Sequence, residues 1–316
     1  MSPGRRIRGV ALLNALVILV IVAGVATRGS LAMASGVGRT EMMIRADQAR
    51  HFALSAEALA RTLLEAEWSP GSTDHLGEAW AEPDRVFEIE SGTVTGRIVD
   101  LQGRFNLNSL VTEEGTLDPT ALARLSRLMA RAGQPGGTAD RVAEWVLAGP
   151  VPVPGALGDA PYLARAEPFR RPGRPMAGPS ELRQIEGIDA ATFARLAPWV
   201  TALPEPSDRI NVNTAPLAVL AAHLPGIPES AIATAIATRD VNPFANTAAF
   251  RRALEPRTLP LAVPGLRAAP LSVASTWFLI EITAFHDGTR AELRSLVQRS
   301  DSDGLVTSIL RLGGAL

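Results

Sequence analysis

The sequence predicts an α+β chain: one long N-terminal helix packed on an antiparallel sheet, with a large all-α domain inserted between the strands. Three observations predict it. An apolar stretch near the N-terminus is followed by apolar residues at helical spacing as far as residue 68. Period-two alternation, the mark of half-buried strands, occurs in two distant places, 85–107 and 275–312. Between them the chain reads as capped helices and glycine turns.

From Val10 to Thr27 only Asn14 and Thr27 are clearly polar, and as a helix this run would extend roughly 27 Å, enough to cross a bilayer. Arg5, Arg6 and Arg8 precede it and only Arg28 closely follows, a bias that keeps the N-terminus cytoplasmic and sends the body of the chain out. A short glycine-bearing stretch then leads into "EMMIRADQARHFALSAEALARTLLEAEW", 41–68. Here Met43, Ala46, Ala49, Ala53, Ala56, Leu59, Leu63 and Leu64 recur at helical spacing with Arg and Glu opposite, so a half-buried helix is predicted, stopped by "SPGS" at 69–72.

"RVFEIESGTVTGRIVDLQGRFNLNSL" alternates around a Ser91-Gly92 turn and predicts antiparallel strands. In "DPTALARLSRLMARAG" Asp118 is a helix cap, Pro119 lies in the first turn and Gly133 ends the helix. Proline and glycine are dense over 149–179, which predicts a long loop within the helical domain. Two units follow, 180–200 and 210–239, each reading helix, Gly-Ile turn, helix, with Gly187 and Gly226 at the turns. Both resemble helix-hairpin-helix motifs. "STWFLIEITAFHDGTRAELRSLVQRS" and "GLVTSILRL" return to period two, joined by Asp-Gly turns, so strands of 85–107 and 275–312 are expected to share one sheet.

The 316 residues carry 31 basic and 32 acidic side chains, so no global field draws the chain onto nucleic acid. The absence of cysteine excludes disulfides, thiolate metal sites and thiol nucleophiles. His51, His75, His223 and His286 are scattered, in no metal-ligand spacing. There is no GxSxG, P-loop or paired-acid motif, and an assembly component is expected rather than an enzyme.

The N-terminus admits three readings. "AMAS" at 32–35 offers a small-x-small site for a cleaved secretory signal, although the apolar run exceeds the roughly 7 to 15 residues usual there and Arg28 intervenes. A plain membrane anchor fits the hydrophobicity but leaves the glycine before the run without a reason. The third reading comes from "RGVALLNALVILVIVAG", which resembles the prepilin segment of type IV pilins and pseudopilins, where a membrane peptidase cuts after the glycine. The resemblance implies Gly9 as the last leader residue and Val10 as the new N-terminus. In most of that family the fifth residue after the cut is glutamate; Asn14 stands there, and the pseudopilins lacking the glutamate are the large minor K subunits of type II secretion systems.

The order of elements, with "GRFNLNSL", "SELRQIEGI", "INVNTA" and the closing strands, resembles that K subunit over nearly the whole chain. It implies a leader at 1–9, a membrane helix at 10–27, a pilin-like helix and first strands at 28–110, an inserted helical domain at 111–270 and closing strands at 271–316. The implied partners are the I and J minor pseudopilins, the major pseudopilin, the prepilin peptidase and the inner-membrane assembly platform. The implied location is the inner membrane, with the bulk of the chain periplasmic at the tip of a pseudopilus.

No other cofactor is implied, but some K subunits bind calcium at the loop of the helical domain. Calcium needs roughly six to eight oxygen ligands, and "EWVLAGPVPVPGALGDAPY", 144–162, offers only Glu144 and Asp159 as carboxylates, so the site is expected to be depleted. The alternatives are a minor pilin of a type IV pilus and a membrane-anchored helix-hairpin-helix DNA-uptake protein. Nucleic-acid binding is disfavoured because Pro228, at the second hairpin, has no N–H for a phosphate and Asp189, at the first, would repel one.

Overall fold

The apolar run and the amphipathic segment form a single helix, α1 (Arg5–Ala66), of 62 residues. The computed structural model describes residues 5–149, 155–254, 266 and 269–315, and nothing of the side chains at 5–11, 29–37 and 315. The helix continues through the glycine-bearing stretch after Arg28, as expected. An interior glycine costs about 1 kcal/mol, whereas ending and restarting a helix leaves four unpaired backbone groups at each new terminus.

The sheet has the order β1-β2-β7-β8-β9, with every neighbouring pair antiparallel. Its strands are β1 (Arg85–Ile89), β2 (Gly92–Asp100), β7 (Trp277–His286), β8 (Thr289–Arg299) and β9 (Val306–Ala315). Asp287 and Gly288, both at positive φ, close the β7–β8 hairpin, as a two-residue turn between twisted strands requires. Phe105 and Asn106, expected in this sheet, are not in it. They form β3, which pairs in parallel with β4 (Val200–Thr201), because the chain turns out of the sheet at Asp100, whose carboxylate accepts the N–H of Gln102.

The outer half of α1 crosses one face of the sheet. Ala49, Ala53 and Leu64 meet Val94, Phe278, Ile280, Ile282, Ala284, Leu293 and Val297, the alternate residues of β2, β7 and β8. Leu59 and Met43, expected on the buried stripe, are exposed, while Glu57 is buried. Positions 49, 53 and 57 follow one helix face, and Leu59 lies about 200° round from Glu57. Arg311 on β9 donates to both oxygens of Glu57, at 3.0 and 2.7 Å, and Ser308 donates as well. Burial pushes the Glu57 carboxyl up, but these hydrogen bonds outweigh it and hold the group below its usual value.

The helical block between β2 and β7 is built twice on one plan. The first unit starts at β3 and ends at β4; the second starts at β5 (Ile210–Asn211) and ends at β6 (Leu271–Ser272), again in parallel. Each opens with Asn-x-Asn. The Oδ1 of Asn106 accepts the N–H of Asn108 at 3.1 Å, and Asn211 does the same for Asn213 at 2.9 Å. The second asparagine of each pair then exchanges two hydrogen bonds with a distant backbone, Asn108 with Met176 and Asn213 with Phe244. Buried amides partnered in this way fix loops that hydrophobic contacts alone would leave loose. The helices between are α2 (Pro119–Arg131), α3 (Thr138–Val146), α4 (Ala160–Leu163) and α5 (Ala190–Leu196) in the first unit, and α6 (Leu217–His223), α7 (Glu229–Val241) and α8 (Thr247–Leu254) in the second. At α2, Asp118 caps the N-terminus by accepting from Thr120 and Ala121, and Pro119 occupies the first turn. One continuous core joins both units, from Phe105 and Leu125 to Ile232 and Phe250.

The block is bolted to the sheet by a buried polar knot. Arg299, at the end of β8, donates to both oxygens of Asp74 at 2.6 Å, to the Ser275 carbonyl at 2.9 Å and to the last turn of α1 at Leu64. Its guanidinium lies 5.0 Å from the centre of the Phe278 ring. Asn211 donates to the Asp74 carbonyl, to Asp100 and to Ser275. Burial raises the Asp100 carboxyl above its ordinary range, against hydrogen bonds from Thr214 and Ser275.

Candidate functional site

Arg5, Arg6, Arg8, Gly9 and Val10 lie in the first turns of α1, outside the residues whose side chains are described. Asn14 is described and exposed on the helix surface. The apolar side chains around it are exposed too, from Leu12 at 71% to Val25 at 67%. Water does not tolerate so long an apolar cylinder, so this part of α1 needs lipid or other helices around it. Among the described residues no helix is long and apolar enough to cross a membrane, and within the 10–27 segment the side chains at 10 and 11 are not described.

Gly187 (φ +85°) and Gly226 (φ +88°) take the left-handed backbone that the two turns require. A Cβ on Gly187 would also stand 2.9 Å from an Arg141 nitrogen. The first turn departs from expectation, because its leading arm is a 3₁₀ helix, Pro179–Gln184, rather than an α-helix. Pro179 and the short run before the turn leave no room for a longer one. Ile185, Ile188 and Ile227 point into the core. Asp189 accepts from the Thr192 N–H at 2.7 Å and so takes up the N-terminus of α5, the place a phosphate would need. Pro228 precedes α7 and has no N–H to offer.

Glu144 on α3 and Asp159 before α4 come together, and a third residue stands with them. Arg171 donates from Nε to Asp159 at 3.0 Å, from Nη1 to the Glu144 carbonyl, and stands 3.5 Å from the Glu144 carboxylate. The Glu144 oxygens already accept the N–H groups of Leu157 and Gly158, at 2.9 and 2.8 Å. The donors present do not fit calcium: two carboxylates are too few, and a guanidinium occupies the space between them. Among the described residues no three acidic or histidine side chains gather as a metal set. Sequence reasoning missed Arg171, for which "FRRPGR" gave no periodic signal. It also missed the Asp74–Arg299 pair, whose members are 225 residues apart.

The family model for type II secretion system protein K matches in two parts, residues 103–205 and 210–273, which coincide with the two Asn-x-Asn units. The type II secretion system protein K of Aeromonas hydrophila is 30% identical over the full length of both chains. The chain belongs to the type II secretion system protein K family. Its protein K relatives include that of Pectobacterium carotovorum, 30% identical over 98% of this chain and 94% of the other. That of Pseudomonas aeruginosa is 37% identical over 68% of this chain and 67% of the other. Among solved structures, a GspK-GspI-GspJ complex of the enterotoxigenic Escherichia coli type 2 secretion system matches with a TM-score of 0.77 and 25% identity, covering 87% of this chain and 99% of that one. As a protein K, the chain is a minor pseudopilin of type II secretion, a structural part of the machinery.

Proposed function

We propose that the chain is the tip subunit of a periplasmic pseudopilus, held in the inner membrane by a single helix until assembly, and that it helps start that assembly with I and J subunits. The full-length likeness to protein K carries the reading, together with the solved complex in which a GspK is bound to GspI and GspJ. In this division residues 1–9 are the leader, 10–27 the anchor, 28–110 and 271–316 the pilin-like body and 111–270 the inserted helical domain, with the two Gly-Ile turns as helix-hairpin-helix-like packing units. The major pseudopilin, the prepilin peptidase and the inner-membrane platform are the further partners.

The exposed apolar surface of α1 supports storage in the bilayer and later burial against neighbouring helices. Asn14 suits a subunit with none above it: an unpaired carboxylate at that position in an apolar bundle would be costly, and an amide is less so. Cleavage between Gly9 and Val10 leaves this whole surface intact. Mass and N-terminal sequence of the chain extracted from membranes test it, with a start at Val10 expected. A start at Ser35 would mean a secretory signal and the loss of the anchor, and an intact Met1 a plain anchor.

A further inference from the structure

We infer that Arg171 is a built-in counter-cation that closes the 155–176 loop on α3, so that this helical domain holds its fold without calcium. The carboxylates of Glu144 and Asp159 bring two negative charges together against α3, Glu144 deeply buried and Asp159 a quarter exposed. Arg171 lies between them with only 12% of its side chain exposed, and Arg170 reaches Asp159 from outside at 3.5 Å. Two guanidiniums thus supply the two positive charges that one calcium ion would bring. A planar guanidinium donates along fixed directions and meets carboxylate and carbonyl oxygens together, which a spherical ion does only with a full oxygen cage.

The backbone is shaped to the same contact. Gly155 packs so tightly on α3 that a Cβ there would fall 2.6 Å from an Asp140 oxygen, and Gly173 (φ +55°) passes 3.2 Å from the Leu147 carbonyl by the same measure. Both ends of the loop therefore press on α3, with Arg171 between. The aromatic cluster beside it follows the loop's state: Trp145 on α3 lies 5.6 Å from the Tyr162 ring and 6.2 Å from Phe169.

The test is thermal unfolding of the full chain in detergent, followed by near-ultraviolet circular dichroism, in excess EDTA and in millimolar calcium chloride. The unfolding midpoint and the tryptophan band are expected to be the same in both. Arg171→Met, which keeps the stem and removes the charge, is expected to lower the midpoint by roughly 3 to 6 °C. Adding Asp159→Asn to that variant should recover part of the loss, because it removes one of the two carboxylate charges that Arg171 had balanced and leaves only the exposed contact with Arg170 to be given up. Arg171→Lys, which keeps the charge but not the fork, should fold and fall between the wild type and Arg171→Met. A wild-type midpoint that rises with calcium, or a tryptophan band that collapses in EDTA, would overturn the inference. So would an Arg171→Met chain as stable as the wild type, or one that Asp159→Asn destabilises further.

Discussion

A chain carrying Gly9→Leu is expected to accumulate uncleaved in the inner membrane, with secretion through its system lost. Peptide cleavage requires the scissile carbonyl to be approached closely by the peptidase's reacting groups, and glycine is the residue that leaves its backbone open on every side. A leucine side chain at the last leader position fills that space. The uncut chain keeps Arg5, Arg6 and Arg8 at the head of α1, on the side of the apolar run where a fibre would need to bury it. Burying three guanidiniums among packed helices costs far more than the contacts return. The effect is therefore all or none, read by the nine-residue difference in mass on extracted protein. Gly9→Ala adds only one methyl group and is expected to be processed slowly. Normal processing of Gly9→Leu would remove the prepilin reading.

The largest stability effect is expected at the knot between sheet and helical block. Asp74→Ala leaves the Arg299 guanidinium buried with no carboxylate, and breaking a buried pair of this kind costs about 3 to 5 kcal/mol. For a chain of this size that lowers the unfolding midpoint by roughly 5 to 8 °C. The loss should exceed that of any exposed pair, such as Arg85–Glu82, where removing the acid costs at most about 1 kcal/mol. Asp74 also accepts the Ser275 N–H at 2.6 Å, and Asn211 reaches its carbonyl, so the contacts between the sheet and the second Asn-x-Asn unit should loosen together. Hydrogen exchange checks this: protection should fall in 210–215 and 271–276 as well as near position 74. A change confined to residues 72–76 would mean that the two parts are not coupled through Asp74.

What the sequence disclosed and what it withheld divide along the range of the interactions. The Asp118 cap, the Asp287-Gly288 turn and the alternation of β7 and β8 are local chemistry, so residues a few positions apart announce them. The buried stripe of α1 was legible only in part, because periodicity names apolar positions. Glu57 is buried through a charge partner 254 residues away. Arg171 was hidden for a similar reason, its carboxylates being 12 and 27 residues back in a stretch without period. The asparagines of "FNLN" and "INVN" were visible as a pattern, but their role was not. An amide that satisfies a distant loop looks in sequence like any polar residue in a turn, and only the paired Met176 and Phe244 backbones show what the pattern does.

The central claim is that this chain caps a fibre by joining two other minor pseudopilins. It is tested most directly by expressing the full chain with the I and J pseudopilins of its own secretion system, extracting the membranes in detergent and measuring the mass of what copurifies. A single species containing one copy of each subunit is expected, and it should persist when the major pseudopilin is absent. If I and J associated with each other while this chain eluted alone, it would not be the tip subunit of that fibre.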